Sequence, residues 1–417
     1  MGQTIIEKIV SNHAASKVFA NDLTVVDVDF VMASDTTAPL AIKAFENMGG
    51  EKIWDSSKMA LVIDHASPAP NQNIASLHDL MRQFAEEQNI KLYDIGDGIC
   101  HQLMIENKHA NPGQLILGAD SHTCLYGAVG AFSTGVGSTD LAGAMMTGKT
   151  WIKVPETILI EINGELQPSV SAKDIVLYVV GKVGIQGATY DAIEYKGSTI
   201  EALSLDSRMT IASMSIEMGA KAGIIHTLGL KLDQEFEHIL PDEDAIYKKV
   251  IQIDATKITP QIAIPHSPDN VRSINEVEEI NIQQAFIGSC TNGRLEDLHA
   301  AAQILEGKHI HPKVRLLIAP ASRQVFLNAL ADGTVQTLTE AGATFLPSGC
   351  GPCVGTHLGV PGNDEVIASS TNRNFQGRMG NRNSNIYLGS PAFVATAALN
   401  GKISNPQQYD GGISNEN

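Results

Sequence analysis

Cys290, Cys350 and Cys353 are three of the five cysteines in this chain, spaced C-x59-C-x2-C. They lie in the small-residue runs Gly288-Ser289-Cys290-Thr291-Asn292-Gly293 and Ser348-Gly349-Cys350-Gly351-Pro352-Cys353. Thiolates on soft, glycine-lined loops suit zinc, an iron–sulfur cluster or thiol redox chemistry. Three is an awkward number for a closed zinc site, which takes four ligands, and His357 is the nearest residue able to supply the fourth. A four-iron cube held by three cysteines instead leaves one iron free of protein, an open Lewis acid. A thioredoxin-type pair at Cys350 and Cys353 needs a helix N-terminus to lower the first thiol's pKa. Gly349, Gly351, Pro352, Gly355, Gly359 and Pro361 make poor helix there. Buried thiols with no ligand at all remain an open reading of the spacing.

Histidines recur beside acids or thiols in Asp64-His65, Cys100-His101 and Asp120-Ser121-His122. A carboxylate fixes an imidazole in one tautomer and favours its charged form, ready to donate a proton or bind an anion. Asp120, Ser121 and His122 are too close in sequence to align as a hydrolytic triad. Arg373 and Arg378 fall in the polar run Asn372-Arg373-Asn374-Phe375-Gln376-Gly377-Arg378. Their guanidinium forks suit carboxylates or phosphates, with a surface ion pair as the plainer alternative. Gly127, Gly130, Gly135 and Gly137 do not follow the strand–turn–helix order of a dinucleotide fingerprint and read as a packing loop.

These residues need elements to hold them, and helical and strand patterns alternate along the chain, implying an α/β architecture with parallel or mixed sheets. Ile74, Leu77, Leu80, Met81 and Phe84 recur with helical spacing after Asn73, the expected N-cap. The reactive motifs repeatedly follow short apolar runs. Leu61-Val62-Ile63 leads to Asp64, Leu115-Ile116-Leu117 to Asp120 and Ala285-Phe286-Ile287 to Cys290. Likewise Thr344-Phe345-Leu346 leads to Cys350 and Val366-Ile367-Ala368 to Asn372. Ligands of open α/β sheets bind beyond the carboxyl ends of strands, so five such motifs point to one composite site. Boundaries are expected near 153–155 and 260–268, and fraying over the polar stretch 405–417.

With 417 residues, 43% of them hydrophobic, the chain can bury large cores in two or three domains. A formal charge of −17 argues against general nucleic-acid binding, which needs a basic face, but allows an anionic small molecule beside local arginines. Five cysteines make no disulfide framework, and no window resembles a signal peptide or a membrane span. A cytoplasmic chain with no membrane partner is expected.

The motifs together resemble the aconitase superfamily over nearly the whole chain. The match includes Thr4-Ile5-Ile6-Glu7-Lys8-Ile9, Asp64-His65, 98–123, 288–293, 348–355, 372–380 and Tyr387-Leu388-Gly389-Ser390-Pro391. It implies a three-domain aconitase-like α/β/α core, divided 1–155, 156–265 and 266–417, without a C-terminal swivel domain. Cys290, Cys350 and Cys353 then match the ligands of one [4Fe-4S] cluster. Asp64, His65, His101, Asp120, His122 and Glu217 match catalytic acids and imidazoles, with His101 paired to Asp120 and His122 to Glu217. Ser121, Arg373 and Arg378 match substrate-binding residues, and Asn372 an asparagine beside the cluster. Cys100 and Cys124 match no ligand. Ser213, where relatives often carry Asn, and His226-Thr227-Leu228-Gly229 depart from the family pattern and are places where substrate choice could be tuned.

The resemblance further implies reversible dehydration of a hydroxy di- or tricarboxylate in a heterodimer. A separate small subunit, carrying the swivel domain, would supply a serine base and further substrate contacts. Isopropylmalate, and with it leucine biosynthesis, is favoured as the commonest case; homoaconitate, 2,3-dimethylmalate and citramalate share the motifs. A cluster-free RNA-binding protein and a zinc-binding scaffold subunit are the non-enzymatic alternatives.

Overall fold

A computed structural model describes residues 2–412, and the chain divides into two compact units, 1–163 with 186–253 and 164–185 with 254–417. The first is built on a five-stranded parallel sheet in the spatial order Lys91–Tyr93, Met59–Val62, Phe30–Ser34, Leu115–Gly118, Phe132–Gly135. Phe30–Ser34, Met59–Val62 and Leu115–Gly118 are buried at every residue, which accounts for their continuous apolar runs rather than alternation. The chain starts at Phe30–Ser34, adds two strands on one side, then returns to add two on the other. The switch in direction therefore falls between Phe30–Ser34 and Leu115–Gly118, where open α/β sheets leave a crevice for ligands. A second sheet of this unit runs Ala222–Ile225, Ala192–Lys196 and Thr157–Asn163 in parallel.

The second unit repeats the principle. Its seven strands lie in the order Val271–Ser273, Gln261–Ala263, Asn385–Leu388, Val366–Ser369, Gln284–Ile287, Arg315–Ile318, Thr344–Phe345. The last five are parallel and the first two antiparallel. Here the switch falls between Gln284–Ile287 and Val366–Ser369. Helices Leu295–Leu305 and Pro391–Asn400 bury Leu298, Ala301, Leu305, Phe393, Val394 and Ala397 in the core of this sheet.

Two local expectations change. The helix after residue 70 runs Gln72–Gln88 and is capped by Asn71, not Asn73, because the Asn71 side chain accepts the Ile74 N–H at 3.1 Å. Its buried stripe is His78, Met81, Phe84 and Ala85, while Leu77 stays exposed. Pro406–Gly412 forms a short 3-10 stretch with the Tyr409 hydroxyl on Asn400, and 413–417 lie outside the described residues. Among the described residues no helix is long and apolar enough to cross a membrane.

Candidate functional site

All five motifs read from the sequence do follow strands, and they fall into two groups, one in each unit. In the first, Met59–Val62 delivers Asp64 and His65, and Leu115–Gly118 delivers Asp120, Ser121 and His122. Asp64 is fully buried and does two jobs. One oxygen bonds His65 Nδ1 at 2.8 Å; the other accepts the Cys100 N–H at 2.7 Å, capping the helix Cys100–Glu106 that carries His101. His101 reaches Asp120 through Nε2 at 2.7 Å and the Tyr126 hydroxyl through Nδ1 at 3.2 Å. His122 meets Glu217, from the 3-10 stretch Met214–Met218, at 2.9 Å. Three acid–imidazole pairs thus form, and His65 Nε2 also lies 3.3 Å from Asp120.

Asp120 is the hub of this array. Burial pushes its carboxyl upward, but hydrogen bonds and charge from His101, with bonds from His122 and His65, outweigh it and hold the group well below the ordinary carboxylate range. Asp120 and Ser121 stand partly exposed at the edge of a cavity of about 640 Å³, which Val136, Tyr190, Ile216 and Lys221 also line. Asp64, His65 and Cys100 each bring a ligand atom within 4.8 Å of the others, but both Asp64 oxygens are already committed to the loop itself.

Sequence reasoning missed the residue that sets this loop. Asp35, at the end of Phe30–Ser34, accepts the N–H groups of Asp64 at 3.2 Å, His65 at 2.8 Å and Ala66 at 2.9 Å, and His78 Nε2 at 3.2 Å. Nothing in the local sequence marks it, and only the adjacency of the strands reveals its target.

The second group gathers at the other switch point. Gln284–Ile287 feeds Cys290, Val366–Ser369 feeds Asn372, and Cys350 opens a 3-10 turn, Gly351–Val354, that contains Cys353. All three cysteines are buried, and none forms a disulfide among the described residues. Asn372 spans two of them, its Nδ2 3.7 Å from Cys290 Sγ and its Oδ1 3.8 Å from Cys353 Sγ. Arg378 reaches Cys353 Sγ at 3.6 Å. The loop carrying Arg373 and Arg378 is anchored by buried Asn374, whose amide bonds the carbonyls of Ala263, Ile264 and Ile386.

A single tetrahedral zinc holds thiolate sulfurs about 3.8 Å apart, given Zn–S bonds near 2.3 Å. Among the described residues no set of three ligands that includes these sulfurs lies within 4.8 Å of one another. His357 bonds its neighbour Thr356 through Nδ1 at 2.8 Å. Three buried thiols are one short of a closed zinc site, so the donor set suits an iron–sulfur cluster with one open iron better than zinc.

Other residues singled out from the sequence have structural surroundings. Cys124 Sγ points at the Ala212 carbonyl at 3.3 Å, and the Ser213 hydroxyl donates to Thr210 O at 2.9 Å. His226 sits on Glu194, which also accepts the Ile5 N–H and the Tyr247 hydroxyl. Gly127 packs so closely that a Cβ there would meet the Gly223 carbonyl at 1.6 Å, in keeping with a packing role for the glycine-rich run.

Comparison with known proteins agrees with this picture. The Aconitase family model (aconitate hydratase) matches residues 7–232 and 274–401. The chain is 47% identical to a 3-isopropylmalate dehydratase large subunit 1 of Methanopyrus kandleri, covering 98% of this chain and 100% of that one. It is 46% identical to the large subunit 1 of Thermotoga maritima (98% and 100%) and 45% identical to the large subunit of Elusimicrobium minutum (98% and 99%). On the family match and these near end-to-end alignments, the chain belongs to the aconitase family.

Proposed function

We propose that this chain is the large subunit of a hydro-lyase that converts 2-isopropylmalate to 3-isopropylmalate through isopropylmaleate, in leucine biosynthesis. The observation that carries the reading is the array of three acid–imidazole pairs gathered around Asp120 and Glu217, which is proton-transfer machinery. Relatives named as 3-isopropylmalate dehydratase large subunits, aligned almost end to end, support the substrate. Their names also imply a small-subunit partner. That the partner contributes the swivel domain and a serine base, and that the complex is cytoplasmic, belong to the same proposal.

Cys290, Cys350 and Cys353 would hold a [4Fe-4S] cluster, which when bound supplies a Lewis acid for the substrate hydroxyl. The partner's serine base would take the carbon-bound proton and return it on rehydration, and the chain's own residues supply substrate binding and the proton on the oxygen side. Arg373 and Arg378 grip the two carboxylates of the substrate. A charged imidazole among His65, His101 and His122 gives its proton to the departing hydroxyl, which leaves as water, and takes it back when water re-adds to the neighbouring carbon. Asp64, Asp120 and Glu217 hold these imidazoles in orientation, and Ser121 donates a hydrogen bond to a substrate oxygen. The three-way division 1–155, 156–265 and 266–417 goes with this reading.

The test is to co-purify the chain anaerobically with the small subunit from a neighbouring reading frame and follow loss of isopropylmaleate absorbance. Homoaconitate, dimethylmaleate and citraconate serve as competing substrates. Fastest turnover on isopropylmaleate upholds the proposal; preference for another of these acids reassigns the substrate, and turnover of none overturns the reading.

A further inference from the structure

Behind the cysteine loops lies a cation that the reaction scheme does not use. Lys173, on the helix Ala172–Val183, is completely buried. Its ammonium donates to Ser370 O at 2.7 Å, Thr371 O at 2.6 Å and Asn292 Oδ1 at 3.3 Å. These three bonds use its three protons, and every acceptor is a neutral oxygen. Among the described residues no carboxylate comes within ion-pair distance of it.

The acids closest to it electrostatically are already engaged. Asp297 accepts from the Asn292 amide at 2.8 Å and the Arg294 N–H at 2.9 Å, and Asp174 from Gln261 N and Ser171 N, each at 2.8 Å. Burial pushes both carboxyls up to about 6, which leaves them mostly ionised near neutral pH, but neither reaches Lys173 within ion-pair distance. A second buried cation, Arg294, donates to Cys290 O at 2.6 Å and to Thr291 O.

A buried charge costs several kcal/mol unless an opposite charge answers it. Burial works against the Lys173 charge and brings its pKa down to about 7, and the negative groups that act to keep it charged are, in order, Asp297, Cys353, Asp174 and Cys290. Its hydrogen bonds land on the Cys290 loop, at Asn292 two residues beyond Cys290, and on Ser370 and Thr371, which immediately precede the bridging Asn372. A cation in this place ties the Cys290 loop to the loop of Asn372, whose amide spans Cys290 and Cys353.

We propose that Lys173 is the built-in counter-cation of the thiolate-bound cluster, a positioning residue that raises the cluster's reduction potential by stabilising its more negative state. Net charge near a cluster is one of the levers that set its potential. The inference rests on the cluster assigned under Proposed function, and one experiment separates the two. The anaerobically reconstituted wild-type chain is first analysed for iron and acid-labile sulfide. A chain that holds no cluster ends that assignment, and the inference with it, before any variant is made.

Given a loaded wild type, the one-electron midpoint potential is followed by electron paramagnetic resonance in wild type, Lys173→Met, Lys173→Gln and Lys173→Arg. The neutral variants should lower the equilibrium constant for reduction at least about tenfold, ~59 mV more negative for one electron, with the arginine variant within about twofold of wild type. Neutral variants within about twofold of wild type, or an arginine variant shifted as far as they are, overturn the proposal. Should neither neutral variant accept a cluster, full loading of the arginine variant supports the charge role. Failure of all three variants to load shows that volume, not charge, is required and overturns it.

Discussion

Replacing Asp35 by Asn is the sharpest local test of how the acid–imidazole array is held. The carboxylate is buried and receives four donors: the N–H groups of Asp64, His65 and Ala66, and His78 Nε2. One oxygen serves Asp64 and His65, the other Ala66 and His78. Asparagine keeps only one acceptor oxygen and turns an NH2 toward the remaining two donors, leaving them unsatisfied. Hydrogen bonds to a charged group are worth roughly 1.5–3 kcal/mol each, so Asp35→Asn should cost about 3–5 kcal/mol. Both tryptophans, Trp54 and Trp151, lie in the first unit, so their fluorescence in a urea titration reports on this unit.

The loss should also depend on pH in one direction. Burial works to raise the Asp35 pKa, but the His65 charge, the Ala66 and His65 N–H groups and the His78 bond outweigh it, leaving the folded value below the ordinary one. Its stabilisation is therefore complete above the unfolded-state pKa of about 3.9 and is lost as pH falls toward the lower folded value. The gap between wild type and Asp35→Asn should be widest near neutrality and close below about pH 4. A variant within about 1 kcal/mol of wild type at pH 7 refutes the account of this loop.

Three further outcomes follow from the same geometry. Gly127→Ala places a methyl on the Gly223 carbonyl and should cost at least the ~1–3 kcal/mol of an overpacked core, read as a lowered melting temperature. Glu217→Gln leaves His122 in place without its carboxylate, and turnover of the two-subunit enzyme should fall about 100-fold with little change in KM. Asn372→Ala removes the amide that spans Cys290 and Cys353, and retention of iron against a chelator should weaken about 10–100-fold.

The sequence shows features that are local along the chain and hides those made by folding. Asp64 and His65 are adjacent, and the run from Leu115 to His122 is continuous, so strand, turn and reactive group can be read together. The mixed α/β fold follows from fully buried parallel strands, whose apolar runs are conspicuous. The pairing of His122 with Glu217 joins residues 95 apart, and no spacing rule finds it; the family resemblance did. Asp35, Lys173, Asp297 and Asn374 were not singled out at all. Asp35, Lys173 and Asn374 act on backbone groups or amides of segments distant in sequence, and such bonds carry no residue-type signature, while Asp297 is a local cap on Arg294 N–H. Asn71 and Asn73 are chemically equal candidates for the cap, and only the extended backbone at Asn71, with its side chain on the Ile74 N–H, decides between them.

The account stands on the three sulfurs of the second unit, and metal analysis of the anaerobically purified chain tests it most directly. It predicts about four iron atoms and about four acid-labile sulfides per chain, with loss of both when Cys290, Cys350 or Cys353 is changed to Ser. One zinc per chain without labile sulfide, or a Cys290→Ser protein that keeps its full iron, contradicts it.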